Sequence, residues 1–385
     1  MRAVTPEPRR RLTVSATGYT LGAFSKKAGE AHDVDSADPV SIAMIERLTR
    51  RRALALAVGQ SAAAHQPHLA PREHLVNVLE YEAQAQLALN PATAALVAGS
   101  DREAFDRITL RPRMLVPTLD LDLSVTLLGD TLQTPILVAP IASQNQFHPE
   151  GERATVKGAS AAKAPVIVSS HASVPIAELV AQAATPIWYQ VFAADPAAAR
   201  QVSAAVDARC KAICVTVGVT PSAQGTRVSA ARIDWAAVDR LTRDSRLPVV
   251  VKGIATADAA RIALGHNVQG LVVSNYGGLA TPGQESLLLT LPAIVDAVAG
   301  HVPVLVDGGF RRGTDIVKAL AFGASAVAVG RPVMWGLAAY GADGVQGVIE
   351  MLQTELARYM AMCGKSTVKM LDRTVLQVHG VPSTR

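Results

Sequence analysis

The sequence predicts an α/β fold, a (β/α)8 TIM barrel with an N-terminal extension. Three observations predict it. From residue 130 onward, eight short runs of apolar, β-forming residues alternate with alanine-rich helical stretches. The runs are nearly continuous in apolar residues, which means burial on both faces and a parallel sheet. Polar residues gather where the runs end, and in a barrel those ends share one functional mouth.

The runs are Ile136–Pro140, Val166–Ser170, Ile187–Phe192, Ala212–Val217, Val249–Gly253, Gly270–Asn275, Val302–Gly309 and Ala326–Arg331. Eight repeats of strand and helix favour a closed barrel over an open doubly wound sheet. No G-x-G-x-x-G follows the first run and no Walker A motif occurs, which counts against dinucleotide and P-loop folds.

The 385 residues are 49% apolar and 18% charged, enough for a large core and one barrel. No run of about eighteen apolar residues exists, so no membrane span is expected. Cys210, Cys214 and Cys363 read as small buried residues, with no disulfide framework and no metal site. The net charge of +5 suggests nucleic acid only superficially. Residues 1–72 hold eleven Lys/Arg against six Asp/Glu, which is the whole excess. Aromatic residues for base stacking are scarce, so no nucleic-acid partner is expected.

Residues 1–70 form a basic leader, and residues 71–385 form the barrel domain. The leader carries Arg9-Arg10-Arg11 and Arg50-Arg51-Arg52, the second followed by an apolar and then a small-residue stretch. This order reads in two ways. It is either a twin-arginine export signal, placing the protein in the periplasm, or a disordered or helical leader on a cytoplasmic protein.

The last two runs carry the strongest chemical signal. Asp307-Gly308-Gly309-Phe310-Arg311 closes the seventh, and Gly330-Arg331 closes the eighth. Glycine admits a ligand to the backbone, bare N–H groups bind oxyanions, and arginine adds charge-assisted bonds. Loops after strands seven and eight are the usual phosphate cup of this fold. Lys252 ends the fifth run at the same mouth, where it suits a group that becomes anionic, such as the N1–C2=O edge of a reduced flavin.

From about Val76 to Val378 the chain resembles the FMN-dependent 2-hydroxy-acid oxidases and dehydrogenases, of the glycolate oxidase and flavin-type lactate dehydrogenase kind. The resemblance rests on Asn77–Glu82, Arg111-Pro112-Arg113, Pro135–Pro140, His148-Pro149-Glu150-Gly151, Val251-Lys252-Gly253, Val273-Ser274-Asn275, the Asp307–Asp315 stretch and Gly330-Arg331-Pro332. It implies an FMN cofactor, a small-molecule substrate and a homo-oligomer, and it leaves the electron acceptor open. It implies that Pro140, Ile141 and Ala142 lie along the flavin and that Ser169, Gln190 and Thr216 bond its ring edge. It places Lys252 at N1–C2 and Ser274 on the ribityl chain. Asp307, Gly308, Gly309, Phe310 and Arg311, with Gly330 and Arg331, hold ribityl and phosphate.

The substrate side departs from the family's pattern. Tyr276 stands where the family has its histidine base, Leu279 where an arginine pairs with the substrate carboxylate, and Gly218 where an aspartate orients the histidine. Phe192 and Leu96 stand where the family has tyrosines, and Arg227 is a weak stand-in for a second arginine. These positions form the expected substrate pocket. The expected reaction is therefore an FMN oxidation of a non-standard substrate. The alternatives are a non-catalytic flavin-binding relative and an ordinary 2-hydroxy-acid oxidase with a rebuilt site. A phenol is a poor base near neutral pH unless strongly shifted. Tyr276 is a candidate base only if Lys252 lowers its pKa, and otherwise a hydrogen-bond donor or a ring over the flavin. His171 is the second acid/base candidate, or a piece of pocket wall. His148 is expected to position a helix.

Overall fold

The computed structural model describes residues 68–99, 102–113, 116, 120–223, 225, 227–276 and 286–379. The basic leader up to residue 67 lies outside the described residues.

All eight apolar runs are strands of one closed parallel barrel. They are β1 (Ile136–Val138), β2 (Val166–Ser169), β3 (Ile187–Phe192), β4 (Ala212–Thr216), β5 (Val249–Ile254), β6 (Gly270–Val273), β7 (Val304–Asp307) and β8 (Ala326–Val329). Each pairs with the next, and β8 pairs with β1 to close the ring. Most strands end earlier than the apolar pattern. Pro140 has no N–H for the ladder, and Gly308 and Gly309 turn into positive φ just after Asp307. Only β5 runs further, through a register shift between Lys252 and Ile254. Gly253 sits at that shift with φ +114°.

A helix follows each strand: α1 (Gly151–Ala161), α2 (Ile176–Gln182), α3 (Ala198–Asp207), α4 (Trp235–Asp244), α5 (Ala257–Leu264), α6 (Leu287–Val298), α7 (Gly313–Ala321) and α8 (Arg331–Met362). α8 breaks at Tyr340 and Gly341, whose backbone angles are not helical. His148, expected to position a helix, lies at the entry to α1. Its Nδ1 accepts the Glu150 N–H at 3.2 Å.

Among the described residues, the helices Val78–Ala88 and Pro91–Val97 and a short one at Glu103–Asp106 precede the barrel. Asn77 and Asn90 cap the first two by accepting backbone N–H groups with their side chains. This arm docks on α8. Tyr81 packs edge-on against Tyr340, and the Trp335 indole donates to the Val97 carbonyl at 2.9 Å. A short antiparallel ribbon of Ile108–Leu110 with Leu376–Val378 ties the arm's end to the end of the described chain.

The loops that follow β1 and β2 share one buried carboxylate. Glu152, in the first turn of α1, accepts the Gln144 N–H at 3.0 Å and the Ser173 N–H at 3.1 Å, and also bonds the Ser173 hydroxyl. Charged acceptors of this kind contribute about 1.5–3 kcal/mol per bond. Replacing Glu152 by Ala strands buried donors on both loops. We expect a loss of roughly 3 kcal/mol in a urea titration, with Glu152→Gln losing less.

Candidate functional site

The C-terminal ends of the strands surround a cavity of about 360 Å³, in the ordinary range for a small-molecule or cofactor site. Pro140, Ile141, Ala142, Ser169, Gln190, Thr216, Lys252, Asp307, Gly308, Gly309, Phe310, Arg311, Gly330 and Arg331 all line it. So do Leu96, Phe192 and Tyr276. Three predicted residues are placed differently. Ser274 is buried behind Lys252, whose ammonium donates to its hydroxyl at 2.7 Å. Gly218 lies off the wall, beside Ile233. His171, expected as pocket wall, sits one layer back. Its ring packs edge-on against Phe192 at 5.5 Å and under the backbone of Gly225, and its Nδ1 lies 3.3 Å from the Ser170 hydroxyl. The hairpin of Val219–Pro221 with Val228–Ala230 carries Gly225 over it. Leu279 lies outside the described residues. Arg227 is exposed on the same hairpin.

Lys252 is the electrostatic centre of the mouth. Its buried ammonium is 2.9 Å from Asp307 Oδ2, 2.7 Å from the Ser274 hydroxyl and 4.5 Å from the centre of the Tyr276 ring. Beside it the Gln190 amide donates to the Thr216 hydroxyl at 2.9 Å. Asp307 Oδ1 and Arg311 Nε are buried without a hydrogen-bond partner among the described residues.

Tyr276 is in the left-handed region at φ +58°. Its hydroxyl donates to the Val217 carbonyl and lies 3.2 Å from the Lys252 carbonyl. Burial raises the phenol pKa, helped by Asp307 and Cys214. Lys252 does not offset this rise, because its ammonium faces the ring and not the oxygen. In this geometry the phenol serves as a hydrogen-bond donor to the main chain.

The loops after β7 and β8 form a cationic cup. Arg311 stacks on Trp335 at 4.6 Å and donates to the Phe310 and Gly99 carbonyls. Arg331 donates to the Gly99 carbonyl at 2.6 Å and to that of Ala98 at 3.3 Å. Burial presses both guanidinium pKa values down, and Arg331 adds to the pressure on Arg311. Arginine keeps its proton regardless, so the cup stays cationic. A Cβ on Gly308, at φ +97°, meets no protein atom; that side of the loop is open to a ligand.

Sequence reasoning missed what holds the cup. Asp315 Oδ2 accepts the N–H groups of Arg311 and Arg312, each at 2.9 Å. Arg102 grips both Asp315 oxygens, at 2.8 and 3.1 Å, and donates to the Gly309 carbonyl at 3.0 Å. Only Asp315 left a trace in the sequence, as an acidic residue in the first turn of α7. Ala95, Val97 and Ala98 of the arm also line the cavity.

The three cysteines are buried, with Cys210 and Cys214 thiols pushed up to about 12 by desolvation. No helix among the described residues is long and apolar enough to cross a membrane, and none of their His, Cys, Asp or Glu side chains cluster as a metal site.

A closed parallel barrel with a cationic cup after β7 and β8 and a buried lysine at its mouth is the kind of α/β barrel suited to a phosphorylated ligand. The sequence of the chain names the class more closely. The model of the FMN-dependent dehydrogenases matches residues 91–230 and 219–378, and the chain belongs to that family. FMN is its cofactor. A peroxisomal (S)-2-hydroxy-acid oxidase of Oryza sativa subsp. japonica is 36% identical in an alignment 356 residues long that covers 79% of this chain and 96% of the relative. An L-lactate oxidase of Nostoc is 35% identical in an alignment 358 residues long that covers 79% of this chain and 98% of the relative. Among solved structures, an arginine-to-leucine variant of mandelate oxidase with 2-hydroxy-phenylacetamide superposes with a TM-score of 0.74 at 34% identity, covering 80% of this chain and all of that one.

Two measurements probe the cup. Asp315→Ala removes the acceptor shared by two loop N–H groups and Arg102, and we expect it to cost about 3–5 kcal/mol in denaturant unfolding. Riboflavin, which lacks the phosphate, should bind the apoprotein at least a hundredfold more weakly than FMN in flavin-fluorescence titration. Equal affinities would place the phosphate elsewhere.

Proposed function

We propose that this chain is an FMN-dependent oxidoreductase of the 2-hydroxy-acid oxidase type with an altered substrate site, acting on a neutral compound in place of a simple 2-hydroxy acid. The observation that carries the reading is the state of Tyr276. It occupies the position of the family's base, and its hydroxyl is spent on main-chain carbonyls.

In this reading Arg311, Arg331 and the N–H groups of Gly308 and Gly309 hold the phosphate. Pro140, Ile141 and Ala142 lie along the ring, and Ser169, Gln190 and Thr216 meet its polar edge. The orphaned Asp307 Oδ1 and Arg311 Nε suit the ribityl hydroxyls and the phosphate oxygens. Lys252 keeps a positive charge where the ring edge becomes negative, and Ser274 acts through that lysine. FMN, when bound, supplies a two-electron acceptor.

Charge distribution supports a neutral substrate. The charged residues lining the described cavity are Lys252, Asp307, Arg311 and Arg331. Lys252 is tied to Asp307, and both arginines belong to the cup. The segment 277–285 contains neither lysine nor arginine. A carboxylate on the Leu96–Phe192 side has no cation to meet among these groups, and burying it unpaired is costly. The amide ligand of the mandelate oxidase variant has the kind of chemistry that suits such a wall.

The purified protein should carry an FMN spectrum. In the absence of oxygen, glycolate, lactate and mandelate should leave it unbleached, while a neutral 2-hydroxy amide should reduce it. Bleaching by any of the three acids sinks the reading. Tyr276→His combined with Leu279→Arg should recover little activity on mandelate until Gly218→Asp is added, because the new imidazole otherwise lacks an orienting carboxylate.

A further inference from the structure

Tyr276 grips one residue at both ends. Its hydroxyl reaches the Lys252 carbonyl at 3.2 Å while its ring faces the Lys252 ammonium at 4.5 Å. The hydroxyl also bonds the Val217 carbonyl, so the phenol is wedged between the ends of β4 and β5, where β5 shifts register. Gly253 makes the wedge possible. A Cβ there would collide with the phenol oxygen and lie 2.5 Å from the Val217 carbonyl. Tyr276 itself adopts φ +58°, a conformation a bulky residue keeps only when its surroundings hold it.

We propose that Tyr276 is the positioning residue for Lys252: its ring is the third side of a cage, with Ser274 and Asp307, that fixes the ammonium at the barrel mouth. The inference rests on the reading that Lys252 faces the FMN ring edge, and not on which substrate is oxidised. An ammonium has three protons to direct. Ser274 and Asp307 take two, at 2.7 and 2.9 Å. The third is left for the cofactor's ring edge, and the negative face of Tyr276 covers the flank of the ammonium without accepting a proton. Ring and hydroxyl have separable tasks. The ring keeps the charge dry and therefore strong toward the cofactor, and the hydroxyl keeps the ring in place.

The test compares the holoenzyme with Tyr276→Phe and Tyr276→Leu. The readout is the midpoint potential of bound FMN, measured against a reference dye. Tyr276→Leu opens one side of the cage to water and weakens stabilisation of the reduced, anionic ring. The expected effect is a tenfold fall in the reduced-to-oxidised ratio at fixed potential, or about 30 mV for a two-electron couple. Tyr276→Phe keeps the ring but loses its tether, and should fall clearly less than Tyr276→Leu. An unchanged potential in Tyr276→Leu overturns the proposal, and so does an equal fall in both variants. A second measurement needs no cofactor. The alkaline ultraviolet difference between apoprotein and its Tyr276→Phe variant should contain no phenolate signal below about pH 10. A signal there makes Tyr276 a titrating group and ends the positioning role. Should the parent bind no FMN, the proposed function fails while this second measurement still decides the state of the phenol.

Discussion

A lysine and an aspartate meet at 2.9 Å inside a barrel mouth where both are buried, and most of the site is arranged around that pair. Two charges taken out of water recover their desolvation cost only with good geometry and further hydrogen bonds. Strand closure supplies the geometry: β5 and β7 flank β6, so the two side chains project into one space. Ser274 from the end of β6 supplies the hydroxyl between them. One carboxylate oxygen stays without a partner among the described residues. The pair is a poor device for stability alone and a good one for presenting a fixed charge.

The barrel was legible because it depends on short-range pattern. Each strand is buried on both faces, so its residues read as an apolar run, and all eight runs fall on strands. Strand ends were less legible. In the seventh run Val302 and Pro303 precede the ladder and the two glycines leave it, because positive φ breaks the pairing. The side chains that line the mouth were also readable, since strand ends carry the polar residues. Their second layer was not. Arg102 acts on Gly309 and Trp335 on Val97, across separations of 207 and 238 residues, and no local pattern encodes such contacts. His171 was misplaced for a similar reason. The hairpin that lays Gly225 over it forms well downstream.

Tyr276 shows how a residue type and its surroundings can point apart. As a phenol at the position of a base it invited the question of a shifted pKa. The shift runs upward, because the nearby cation lies over the ring while the oxygen faces carbonyls. Proximity of a charge is therefore insufficient to predict a direction; which atom it faces decides.

The two cup arginines bond the Ala98 and Gly99 carbonyls, which belong to the arm and not to the barrel. Binding in the cup and docking of the arm thus draw on the same guanidinium groups. Linkage then runs both ways. The contacts that join the cup to the arm span more than 200 residues of sequence, so a ligand that engages these guanidinium groups is coupled to the docking of the arm.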